Sequence, residues 1–88
     1  MPTDDELETR ILELLGKRKA TSSICPSEVA RSFSGDEAIW RPLMEPVRAV
    51  AARMSEQGGI EVTQKGEVVD LSDPERKGPI RLRLPRNE

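Results

Sequence analysis

Between Trp40 and Gln57 the chain carries its strongest constraint. Val47, Val50, Ala51 and Met54 fall four, seven, eight and eleven residues after Leu43, the spacing that lines one side of an α-helix with apolar groups. That side must face a core. The other side carries Arg41, Glu45, Arg48, Ala49, Ala52, Arg53 and Glu56, guanidinium groups set among small residues that would let another surface approach. Pro42 and Pro46 cannot both occupy the first turn, and Pro46 cannot donate to the carbonyl of Pro42. The third helix is therefore expected to begin with a separate turn or a kink before Pro46. Gln57-Gly58-Gly59 supplies its left-handed stop.

Upstream, Thr3-Asp4-Asp5-Glu6 reads as a capping box that opens a first helix. Leu7, Ile11, Leu14 and Leu15 form its apolar stripe, and Lys17, Arg18 and Lys19 sit near its end, where the helix dipole favours cations. That basic run reads as a solvated helix terminus before it reads as a phosphate contact. Ser23-Ile24-Cys25 suits a short strand. Pro26 fits the first position of a second helix, which makes Cys25 its cap. Val29, Ala30 and Phe33 point inward from that helix and Gly35 ends it, leaving Ser34 to Ile39 as a turn that Ser34 or Asp36 can cap.

Downstream, Ile60-Glu61-Val62-Thr63 and Ile80-Arg81-Leu82-Arg83-Leu84 alternate as strands do and should pair antiparallel, with Glu61 across from Arg81 or Arg83. Lys65-Gly66 marks a turn, Val68, Val69 and Leu71 extend the hairpin or fold back, and 73–78 forms the tip. The expected architecture is α+β: a single winged helix-turn-helix domain over residues 1–88, three helices with a C-terminal β-hairpin wing. At 88 residues there is no room for a second domain.

Three strings, Ile24-Cys25-Pro26-Ser27-Glu28-Val29-Ala30-Arg31, Trp40-Arg41-Pro42-Leu43-Met44 and Ile60-Glu61-Val62-Thr63-Gln64-Lys65-Gly66, closed by Gly78-Pro79-Ile80-Arg81-Leu82-Arg83-Leu84, resemble a family of small bacterial proteins known as domain of unknown function 3253. The resemblance spans nearly the whole chain and implies a winged-helix-like fold. It brings no ligand, so no functional residue is carried over from it.

Charge decides how far a nucleic-acid reading can go. Residues 1–45 hold nine acids and six bases, and residues 46–88 seven acids and eight bases, so the halves stand at −3 and +1. The C-terminal half is the better surface for an anionic partner, although a pI near 5.3 opposes strong non-specific binding. Arg41, Arg48 and Arg53 on the third helix and Lys65, Arg76 and Lys77 in the wing are the candidate DNA contacts. Against that stands self-pairing, since Glu45 is in helical reach of Arg41 and Arg48, and Glu56 of Arg53. The sequence reading favours a DNA-binding, transcription-regulatory module whose weak basicity calls for a second copy or a partner. The rival is a protein-interaction adaptor that keeps the fold without binding DNA.

A third reading makes Cys25, at a helix N-terminus, a thiol redox switch. No histidine and no second cysteine stand by to act as base or resolving thiol, so a small buried hydrophobe is the favoured role. The same gaps, with no phosphate loop or nucleophile motif, argue against an enzyme, a metal site or a cofactor. Trp40 is expected half-buried where the second and third helices meet. The acidic N-terminus has no secretory signal and no stretch is long enough to span a membrane, so a cytoplasmic location is expected.

Overall fold

The computed structural model describes residues 2–17, 23–69 and 78–85. Its first helix, α1 (Asp4–Gly16), opens on the capping box: the Thr3 hydroxyl accepts from the Glu6 amide at 3.2 Å, and Glu6 accepts from the Thr3 amide at 3.2 Å. Leu7, Ile11 and Leu15 bury its inner stripe. Arg18 and Lys19, read as its basic end, lie outside the described residues, and Lys17 forms the C-cap. Strand β1 (Ser23–Ile24) follows, then α2 (Pro26–Arg31), with Pro26 in its first turn, Cys25 as N-cap and Val29 and Ala30 buried.

The next segment corrects the expected turn. Asp36 accepts from the Ala38 amide at 3.0 Å and starts a helix at Glu37, three residues before Trp40. This short helix, α3 (Glu37–Trp40), passes into a 3-10 turn (Arg41–Leu43) and then into α4 (Met44–Glu56). The capping residues between them keep right-handed helical dihedrals, so 37–56 is one bent helical segment. Its two prolines explain the bend. The ring of Pro46 crowds the carbonyl of Pro42, four residues back, and neither proline donates an N–H, so the chain tightens over 41–43 before α4 runs on. Within α4, Pro46 stands third, where the missing donor costs nothing.

At the far end Gln57 caps α4. The Gly58 amide donates to Ser55 O at 3.1 Å and the Gly59 amide to Met54 O at 2.9 Å, with Gly58 at φ +79°. This is the paired bonding of a Schellman stop. The chain then enters β2 (Glu61–Gln64), turns through Lys65 (φ 54°) and Gly66 (φ 84°) into β3 (Glu67–Val68), and returns as β4 (Arg81–Arg83). All pairings are antiparallel, in the order β1-β4-β2-β3. Glu61 faces Arg83 and Val62 faces Leu82. The expected extension of the hairpin is met by β3 and by the Val69 amide, which donates to Val62 O at 2.9 Å. Leu71 and the expected tip at 73–77 lie outside the described residues.

Three helical segments and a four-stranded antiparallel sheet thus share one aliphatic core, with Ile11, Ile24, Val29, Val47, Val62 and Leu82 all at 0% exposure. Phe33 and Trp40 pack against it from its margin, half-buried. No described helix is long and apolar enough to cross a membrane.

Candidate functional site

Six cations were singled out by the sequence, and the structure describes four of them. Arg76 and Lys77 lie outside the described residues. On α4 the core stripe is centred on Val47 and Met54, so the crest opposite is formed by Glu45, Ala49, Ala52 and Glu56. Arg48 and Arg53, five residues apart, diverge by about 140° around the helix and occupy its two shoulders. They do not form one stripe.

Their partners also differ from the expected ones. Arg41, on the 3-10 turn, donates to Glu37 and not to Glu45. Arg53 turns from Glu56 toward α1, where its guanidinium lies 3.4 Å from Asp4 and 3.7 Å from Glu8. It acts as a tie between helices whose sequence positions are far apart. Arg48 is half-buried on α4, and Lys65 is exposed at the β2–β3 turn. Neither forms an ion pair with the described residues, and the same holds for Glu45 and Glu56 on the crest.

The sheet's arginines are likewise occupied. Arg83 donates to Glu61 at 2.8 Å, its expected cross-strand partner. Arg81 spans to the other neighbouring strand, donating to the Ser23 hydroxyl and carbonyl at 2.8 Å each and approaching Cys25 Sγ at 2.9 Å. Cys25 is half-exposed, not buried, and its sulfur serves as an acceptor for this arginine.

Two features carry no signal in residue type or spacing. One is a set of guanidinium groups on the aromatic rings: Arg10 lies 4.4 Å from the centre of Phe33, and Arg31 and Arg41 lie 4.8 and 5.5 Å from that of Trp40. The other is a trough between α1 and the front of the bent segment. Its central depression, about 480 Å³, is lined by Pro2, Glu6, Phe33, Ile39, Pro42 and Leu43, with Ala38 between. Along α1 it continues past Asp5, Thr9 and Glu13, and at the other end past Glu37 and Arg41.

The bend makes that trough. In an uninterrupted α-helix Ile39 would sit one turn before Leu43 on the buried side. Three residues of 3-10 geometry add about 20° each to the helical advance, about 60° in all. Ile39 is 55% exposed, while Leu43 is 3% exposed. The surface can therefore offer an apolar seat with carboxylates on its banks. The one hint in the sequence is the proline pair itself.

The model of a family described as "Protein of unknown function (DUF3253)" matches residues 4–85. No curated protein matches the sequence.

Proposed function

Because the chain belongs to the DUF3253 family, whose description names no ligand or activity, we propose its role from the geometry: a protein-interaction adaptor built on a winged-helix frame. Supporting the frame, α2 is followed by five residues, 32–36, and then by the bent helical segment, close to the three or four residues of a helix-turn-helix turn. A short strand sits between the first two helices, and a tight hairpin follows the third segment, where a wing would be.

A helix-turn-helix reads DNA with the front of its second helix. Here that front presents Ala38, Ile39 and Pro42, all exposed, beside an arginine already held by Glu37. This apolar front is the observation that carries the adaptor reading, because base edges and phosphates reward donors and cations rather than aliphatic groups. The acidic crest of α4 and the tie of Arg53 to α1 point the same way.

Duplex DNA is the second reading, favoured by Arg48 and Lys65, which have no ion-pair partner among the described residues. With Arg76 and Lys77 added, it allows about four phosphate contacts and a slope of log affinity on log salt no steeper than about −3.6.

In-cell photo-crosslinking with benzoylphenylalanine at positions 39, 48 and 65 decides between the readings. The adaptor gives nuclease-resistant protein adducts. If the only adducts are nuclease-sensitive and come from 48 and 65, the adaptor reading fails and the DNA reading replaces it.

A further inference from the structure

We propose that the trough between α1 and the bent segment seats a cationic amphipathic helix of a protein partner, a site that rests on the adaptor reading and gives it a ligand class. The apolar floor sets one half of the chemistry. Ile39 at 55% exposure, with Phe33, Pro42 and the exposed Ala38 around it, needs a bulky aliphatic or aromatic anchor to cover it.

The banks set the charge. Asp5 and Glu13 border the trough and form no ion pair with the described residues, while Glu6 is engaged in the capping box. The two cations on the rim are committed: Arg10 donates to Ser32 O at 2.9 Å and lies over Phe33, and Arg41 is held by Glu37. The trough therefore presents a net negative rim around an aliphatic seat, and lysines or arginines flanking the anchor complement it.

The walls set the backbone form. Both sides of the trough are helices whose amides and carbonyls bond within their own helices, so no free ladder awaits an extended strand. A partner there must satisfy its own backbone, and a helix with anchors at i and i+3 or i+4 does so while keeping one apolar face inward.

The test uses the full chain and three synthetic peptides of about 18 residues, long enough to hold helix. One is a leucine/lysine helix with its leucines on one face, one has the same composition with the leucines dispersed, and one is a leucine/glutamate helix with the leucines on one face. Calorimetric titration should show the first binding at least about tenfold more tightly than either control. Ile39→Asp and, separately, Ala38→Glu should each weaken it about tenfold. Asp5→Lys with Glu13→Lys should weaken it and remove its salt dependence, and Arg48→Ala should leave it unchanged.

Both front positions are exposed, and thermal unfolding of each variant confirms that the fold is kept. Equal binding of the two leucine/lysine peptides, indifference to both front substitutions, or no binding at all would overturn the proposal. If that happens while positions 39, 48 or 65 still yield nuclease-resistant protein adducts, the adaptor reading stands and the cationic-helix site alone falls.

Discussion

Gly58 and Lys65 occupy the same left-handed region of backbone space, at φ +79° and 54°, with opposite suitability for it. Gly58→Ala should cost about 1–2 kcal/mol, because a Cβ is disfavoured there even though nothing crowds it. Lys65→Asn should stabilise by about 0.5 kcal/mol, since Asn-Gly suits a two-residue hairpin turn better than Lys-Gly. Urea unfolding checks both, as shifts of midpoint in opposite directions at constant slope. At this scale the sequence was legible where partners are set by local period. The Thr3–Glu6 box follows from a three-residue spacing, and Glu61 across from Arg83 follows from strand alternation. Arg53 with Asp4, and Arg81 with Ser23 and Cys25, join residues about fifty positions apart. Only the packed arrangement of helices and strands decides such contacts.

The bent segment shows what an element's period can and cannot disclose. Its buried side, Leu43 through Met54, and its glycine stop were both legible, and the proline pair announced an interruption. The start at Glu37 was not, because Trp40 looked like the first residue of the repeat and the Asp36 cap lies before it. Pro46→Ala restores an amide able to bond to the Pro42 carbonyl and relieves the ring's crowding. The amide chemical shifts of 40–46 should then move toward those of continuous α-helix, and Ile39 should lose exposure. Its binding to the leucine/lysine peptide should weaken with the same substitution, although residue 46 does not line the trough. Unchanged shifts outside the immediate neighbours of 46 would show that the prolines are not the cause of the bend.

For the whole molecule, the core is aliphatic and small, with both aromatic rings held at its margin. A domain of this size has about 5–15 kcal/mol to lose. Ile11→Ala, at a position with 0% exposure, should remove about 2–4 kcal/mol and lower the melting temperature by roughly 10 °C or more. Differential scanning calorimetry measures both. The fold class was legible because each element's pattern implied a face to bury. The trough was not, because its banks come from α1 and from a helix turned by its own prolines, more than twenty residues away. One consequence of that placement concerns light. Trp40 is the sole tryptophan and the chain has no tyrosine, so ultraviolet emission comes almost entirely from one indole, with Arg31 and Arg41 poised on its ring. An indole's emission colour follows the cations beside it, and Arg41 lines the end of the trough. A guest free of aromatic residues that disturbs Arg41 will shift that colour, so the protein carries its own optical gauge of occupancy.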